Sequence, residues 1–162
     1  MSRYPASVAE VLDPNMRFRP AALRAVRAFA RSRPWQGTVE ERKEKFSKLN
    51  RDLAEGYGIP VPDLAFGTLD GGGSGNSHYT PALHRIDLVG KLSVVTYLHE
   101  FAHSRGMRER AACAWSINLF RRIWPERYAK LVHVGHTLVR REQTGGRAFP
   151  ATQCTGDPET RQ

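Results

Sequence analysis

The chain has 162 residues, 40% of them hydrophobic, with 25 Lys and Arg against 16 Asp and Glu. This length predicts one domain with a real core, and the lack of a long apolar run argues against a membrane-spanning helix. The net charge of +9 favours weak association with nucleic acid, although the chain has no helix-turn-helix, zinc-finger or RNA-binding signature.

The N-terminal residues predict a cytoplasmic protein. Residues 1–5 lack the apolar segment of a signal peptide. The two cysteines, Cys113 and Cys154, fall in a core helix and a polar tail, so we expect no disulfide and a reducing compartment. We divide the chain into a flexible N-terminal arm over 1–18, a single domain over 19–141 and a disordered tail over 142–162.

Two helices are predicted to open the domain. Pro20 to Arg31 has Pro at its first position and apolar residues at helical spacing. A second helix begins near a capping box at Thr38 and runs to Glu55. We expect Gly56 and Gly58 to end it.

Short strands are predicted next, over Val61 to Leu69, His78 to Thr80 and Arg85 to Val89. The glycine-rich segment Asp70 to Ser77 lies between the first two. It lacks the Gly-Lys-Ser/Thr ending of a phosphate-binding loop, so we interpret it as a hairpin loop. A mobile flap beside an active cleft is the alternative.

The central motif is His99-Glu100-x-x-His103, inside a stretch from Lys91 to Arg105 with no Gly or Pro. On a helix, His99 and His103 stand one turn apart on one face and can bind one metal ion at roughly 2.0–2.1 Å each. Glu100 lies about 100° around the helix, where it can reach a water on the metal.

Apolar neighbours argue that this helix is buried rather than solvent-facing. Two imidazoles and a carboxylate buried side by side cost several kcal/mol unless they are paired or bound to metal. The apolar residues are Leu92, Val94, Val95, Leu98, Phe101 and Ala102.

A third metal ligand is predicted in the following helix. Gly106 is suited to end the first helix, and a new helix fits Glu109 to Ile123. Glu109 lies on the apolar stripe of that helix, where a carboxylate needs a partner. The alternative for Glu109 is an N-terminal helix charge. Other candidate ligands are Glu126, His133 and His136.

After Trp124-Pro125 we predict a further C-terminal helix, from Glu126 to about Val139. Tyr128, Leu131, Val132 and Leu138 would pack against the core in such a helix.

These residues resemble the active core of the zincin metallopeptidases. His99-Glu100-x-x-His103 followed by Glu109-x-x-Ala112-x-x-Trp115-Ser116 is most similar to the minimal gluzincins of the phage-repressor-cleaving type. The spacing also resembles the metzincin pattern with Glu in place of the third His. The chain departs from metzincins in having no Met after Met107, and its linker is shorter than in gluzincins.

The resemblance implies an α+β, zincin-like minimal domain with N-terminal helices, a small and mostly antiparallel sheet, a metal-binding helix and C-terminal helices. It implies one zinc ion on His99, His103 and Glu109, with Glu100 as general base in peptide hydrolysis. It also implies that the strand over Arg85 to Val89 pairs with an extended protein or peptide substrate. Mn or Co are alternatives to zinc.

A zincin mechanism also needs a side chain that steadies the oxyanion, for which Tyr128, His133 and His136 are weak candidates. Two rival interpretations remain open. One is a basic, nucleic-acid-associated protein whose structural metal site is closed by a fourth ligand such as His133 or His136. The other is a regulator or adaptor without turnover, against which the intact Glu100 argues.

Overall fold

The computed structural model describes residues 5, 7–67, 76–134 and 137–140, and side chains as far as residue 132. Within these residues the fold is α+β, which confirms the predicted class. The helices are α1 (Pro20–Arg31), α2 (Val39–Tyr57), α3 (Val94–Ser104), α4 (Glu109–Ile123) and α5 (Pro125–Ala129). The strands are β1 (Asp63–Gly67), β2 (His78–Thr80), β3 (Arg85–Val89), β4 (Leu131–Val134) and β5 (Thr137–Arg140), and short 3-10 turns occupy Val8–Val11 and Pro81–Leu83.

The α1–α2 pair forms where the sequence predicts it, with one difference at its end. The capping box is present, because the Thr38 hydroxyl accepts from the Glu41 amide and the Glu41 carboxylate accepts from the Thr38 amide. Gly56 does not end α2, contrary to the prediction; Gly58 does, in the left-handed conformation with φ +65°. Gly56 instead allows close packing, since a Cβ there would lie 3.0 Å from the Cβ of Ala21 on α1.

The main sheet is mixed rather than mostly antiparallel. Its strand order is β1-β3-β2, with β1 parallel to β3 and β2 antiparallel to β3. The predicted hairpin across the glycine-rich segment is therefore wrong, because β3 lies between β1 and β2. The short turn Pro81–Leu83 joins β2 to β3. Because β3 pairs with β1 on one side and with β2 on the other, it is the central strand. Its Ile86 is fully buried. Residues 68–75 of the glycine-rich segment lie outside the described residues, so the flap interpretation stays a prediction.

The core lies between α1, α2, the sheet and the α3–α4 pair. Buried aromatic rings meet edge to face in its centre, with Phe46 contacting both Phe29 and Tyr97 at centroid distances of 5.1 and 5.6 Å. One polar chain crosses this core. The Tyr97 hydroxyl donates to Asn50 Oδ1 at 3.0 Å, and Asn50 Nδ2 donates to the Pro62 carbonyl at 2.7 Å. These bonds tie α3 to α2 and to the segment that enters β1.

Residues 7–18, which the sequence predicts to be part of a flexible arm, lie against α4. Val8 and Val11 are buried beside Cys113 and Ile117. Asn118 of α4 donates to the Val11 carbonyl at 2.7 Å. The arm thus contributes a second, smaller apolar cluster on the outer side of α4.

The predicted C-terminal helix from Glu126 to Val139 is wrong. The helix stops at Ala129, and β4 and β5 follow as an antiparallel pair in which Val134 faces Thr137. The sequence between them, Gly135-His136, is of the Gly-x type that favours two-residue hairpin turns. β-branched valines on both sides favour strands over a helix. The tail over 142–162 lies outside the described residues.

In the described part of the chain, no helix combines the length and apolar character needed to cross a membrane.

The Tyr97–Asn50 bond predicts a measurable loss of stability when its donor is removed. Tyr97→Phe leaves the buried Asn50 oxygen without this donor, which costs about 1–3 kcal/mol in the free energy of unfolding. Urea denaturation measures the loss. Tyr57→Phe is the control, because its ring packs on Phe101 and Trp115, and it should change stability by less than about 0.5 kcal/mol. Equal losses in the two variants would contradict the assignment.

Candidate metal centre

The helix α3 presents both histidines of the motif on one face. Ser93 caps its N-terminus by accepting from the Thr96 amide at 3.3 Å, and the apolar residues Leu98, Phe101 and Ala102 bury the opposite side in the core. His99 and His103 therefore face the same way. Their Nε2 atoms lie 3.0 Å apart.

The turn that ends α3 also orients His103. Gly106 adopts φ +81°, its amide donates to the His103 carbonyl at 2.8 Å, and the Met107 amide donates to the Ala102 carbonyl at 3.2 Å. This is a Schellman arrangement, so the predicted helix end at Gly106 is confirmed. The turn directs the Met107 carbonyl at His103 Nδ1, 2.8 Å away. With Nδ1 donating its proton there, His103 Nε2 keeps a lone pair for a metal ion.

Glu109 begins α4 and reaches both imidazoles. Its Oε1 lies 2.8 Å from His99 Nε2 and its Oε2 lies 3.1 Å from His103 Nε2. Only 15% of the Glu109 side chain is exposed. The helix-end interpretation of Glu109 also holds in part, because a carboxylate in the first turn of α4 is favoured by the helix dipole.

The two nitrogens and the nearer carboxylate oxygens form a compact set of donors. Tetrahedral zinc, with ligands at 2.0–2.1 Å, separates its donor atoms by roughly 3.3 Å. The three distances here are 3.0, 2.8 and 3.1 Å. The two nitrogens are thus close to tetrahedral spacing, and each contacts a different oxygen of Glu109.

The electrostatics of this cluster favour an ionised carboxylate. Burial alone would raise the pKa of Glu109, but hydrogen bonds with His103 and His99 and their charges outweigh it and lower that pKa to about 2. Burial alone would lower the pKa of His103. Its bonds to Glu109 and to the Met107 carbonyl, with the charges of Glu100 and Glu109, raise that pKa instead. A cation among these groups replaces the protons that they share in its absence.

Glu100 lies beside the donors but outside their contacts with one another. It is 4% exposed, and the backbone of Tyr79 on β2 lies near enough to its carboxylate to lower its pKa. Burial raises the pKa of Glu100, the charges of His99 and His103 oppose that rise, and the charge of Glu109 adds to it. The carboxylate thus lies next to β2, one residue along α3 from the first imidazole.

Cys113 also lies beside the site, although the sequence analysis assigned it only to a core helix. Its Sγ lies 3.7 Å from His99 Nδ1 and 3.9 Å from Glu109 Oε1. His99, Glu109 and Cys113 therefore form a second donor group that could hold a metal ion. The signal in the sequence is the i, i+4 spacing of Glu109 and Cys113 on one helix face.

Geometry favours His103 over Cys113 as the third donor. The sulfur lies on the Nδ1 side of the His99 ring, whereas Glu109 and His103 approach Nε2. At His99, the thiol therefore approaches one ring nitrogen, whereas Glu109 and His103 approach the other.

The remaining candidates lie on α5 or beyond it in the chain. Glu126 is exposed on α5. Tyr128, also on α5, is half-buried against the Val8 and Cys113 cluster, with the Arg121 guanidinium 5.6 Å from its ring. The side chain of His133, and the whole of His136 and Cys154, lie outside the described residues.

Trp115 is the aromatic residue of the sequence Glu109-x-x-Ala112-x-x-Trp115, and its packing shows why a large ring lies at this position. It is buried against Phe101 of α3 and Tyr57 of α2, at centroid distances of 6.2 and 6.3 Å. The fully buried Ala112 precedes it by one turn. This packing fixes α4 against α3, and with it the direction of Glu109.

Comparison with protein-family models, with curated proteins and with solved structures finds no match to this chain.

Glu109→Ala should remove most of the bound metal, since it deletes the donor that joins the two imidazoles. Elemental analysis after dialysis against zinc is the measurement, with about one zinc per chain expected in the unaltered protein and well below one in the variant. Glu126→Ala is the matched control and should keep the full amount. Full metal in Glu109→Ala would exclude this carboxylate as a ligand.

A cobalt-substituted protein separates the two donor groups. Ligation by His99, His103 and Glu109 predicts visible d–d bands without a thiolate-to-cobalt charge-transfer band in the near ultraviolet. Cys113→Ser should then leave the spectrum and the metal content unchanged. A charge-transfer band that disappears in Cys113→Ser would instead assign the thiol to the metal.

Proposed function

We propose that this chain is a zinc-dependent peptidase of zincin type, with His99, His103 and Glu109 as metal ligands and Glu100 as general base. The single observation that carries the proposal is the buried Glu100 carboxylate beside the three converging donors. A site that only stabilises a fold has no need for a fourth charged group held next to its ligands. A hydrolytic site needs one.

The side chains have separate tasks in this proposal. A zinc ion bound here would make a water molecule acidic near neutral pH and would polarise the scissile carbonyl. Glu100 accepts the proton of the attacking water and then delivers it to the leaving amine. The backbone of Tyr79 lies next to this carboxylate, and burial, which raises the pKa of Glu100, makes it a better proton acceptor.

In this proposal an extended substrate pairs with β2, one of the two edge strands of the sheet, and not with the central strand β3. The strand β3 has neighbours on both sides, so the prediction that Arg85–Val89 pairs with substrate is wrong. β2 lies at one edge of the sheet, and the backbone of its Tyr79 lies near Glu100. A peptide that adds to this edge would bring its backbone next to the proposed base. Because β2 has three residues, such pairing contributes few hydrogen bonds.

The rival structural site requires a fourth protein ligand. Cys113 is the described residue closest to that role, at 3.9 Å from Glu109 Oε1. Its approach from the Nδ1 side of His99 favours an orienting contact with the ring over ligation. With His99, His103 and Glu109 as the three protein ligands, the fourth position of a tetrahedral zinc site would be taken by water, as in catalytic sites.

Glu100→Gln tests the mechanism directly. The variant should fold and bind one zinc as before, because Glu100 is not a ligand, while hydrolysis should fall by about 10²–10⁴-fold. Cleavage of denatured casein and of a mixed fluorogenic peptide library, followed by mass spectrometry of the fragments, supplies the rate.

Glu126→Gln is the matched control, since it makes the same chemical change at an exposed carboxylate, and it should cleave at the unaltered rate. Activity retained in Glu100→Gln, or cleavage unaffected by removal of the metal with a chelator, would refute the peptidase proposal.

A further inference from the structure

Much of the net positive charge of this protein comes from one segment that contains no acidic residue. Between Asp13 and Glu40 the sequence contains six arginines and neither a lysine nor an acid. All six side chains are exposed. Residues in this charge-biased segment are Arg17, Arg19, Arg24, Arg27, Arg31 and Arg33.

Three of these arginines form a straight row on α1, which we call the arginine face: Arg24, Arg27 and Arg31. At 3.6 residues per turn they lie within about 60° of one another around the helix, and they span about 10 Å along it. The opposite side of α1 buries Ala22, Val26 and Phe29 in the core, so the direction of the arginine face is fixed.

The charges of the arginine face are not neutralised by ion pairs within the described residues. Asp52 and Glu55 of α2 line the same surface depression. Asp52 is already paired with Lys48, so Glu55 alone opposes the three arginines that line the depression, and the local balance remains positive. Three unpaired guanidinium groups in a row repel one another, which a polyanion would relieve.

Arg19 and Arg105 extend the positive surface beyond α1. Both guanidinium groups contact the Tyr57 ring, at 5.2 and 3.5 Å from its centroid. Arg19 also donates to the Gly56 carbonyl at 3.3 Å. Neither guanidinium group forms an ion pair within the described residues.

We infer that the arginine face binds the phosphate backbone of nucleic acid. Successive phosphates of one strand advance about 3.4 Å along the helix axis, so 10 Å covers about three of them. Arginine forms paired hydrogen bonds with phosphate oxygens, which lysine does not. From Arg24 to Arg31 the remaining residues are Ala, Val and Phe, so no amide side chain is available to read bases. Binding is therefore independent of base sequence.

An acidic protein partner is less favoured by the same surface. Stable protein interfaces depend on aromatic or large apolar anchors. The exposed large apolar residues of the described chain are Val39, Val61 and Leu83, all outside α1. Phosphate contacts need no such anchor, because release of counterions supplies the free energy.

The test is fluorescence anisotropy of a labelled duplex of about 20 base pairs, with salt varied from about 50 to 200 mM. The full chain should bind with a micromolar or weaker dissociation constant, and scrambling the DNA sequence should change nothing. The variant R24Q/R27Q/R31Q should lose about tenfold or more in affinity at the lowest salt, and its salt slope should fall by about 3.

The matched control is K91Q/R108Q/K130Q, which removes the same charge from exposed positions outside α1 that form no ion pair within the described residues. It should retain most of the affinity and slope. The variant R24K/R27K/R31K should keep the salt slope but bind less tightly, because it keeps charge and loses the planar donors. Circular dichroism and urea denaturation check that each variant folds.

Two results would overturn the inference. In one, the control weakens binding as much as the change to the arginine face, which would mean that net charge alone is responsible. In the other, poly-glutamate of matched charge binds the arginine face as tightly as DNA, which would identify an acidic protein segment instead. Glu100→Gln should bind DNA normally, so failure of the peptidase proposal and failure of this inference are separately visible.

Discussion

The contact of Glu109 with both imidazoles is the interaction on which the centre of this protein depends. It joins the first turn of α4 to one face of α3 through bonds of 2.8 and 3.1 Å. Everything that fixes the two helices, from the Gly106 turn to the buried Trp115, also fixes this contact. Conversely, the three groups need one another, because each would be costly to bury alone. Packing and charge therefore specify the same geometry.

Much of this geometry could be predicted because its causes are local. A capping box, a terminating glycine and an apolar stripe act within a few residues of one another. The boundaries of α1, α4 and β3 agree with the sequence for that reason. The motif His99-Glu100-x-x-His103 and the stripe position of Glu109 likewise depend only on helical periodicity, which is why the sequence alone could bring these groups together.

The predictions that were wrong concern features that are determined by contacts between distant parts of the chain. The position of β3 between β1 and β2 depends on parallel pairing across an intervening segment, which periodicity does not report. Gly56 lies inside a helix because Ala21 of another helix needs the space. The strand β4 replaced a predicted helix whose apolar residues suit either periodicity. Cys113 lies at the site because its thiol faces His99 of the neighbouring helix.

The short connection between α3 and α4 has a further consequence for how the protein folds. The donors at 99, 103 and 109 and the turn between them belong to one helical hairpin, so their contacts close loops of ten residues or fewer. Such loops close in tens of nanoseconds, far faster than β pairing between remote strands. We therefore expect the imidazoles and the carboxylate to meet early in folding. A cation captured at that stage would act as a nucleus around which the slower sheet assembles, coupling metal supply to the yield of native protein.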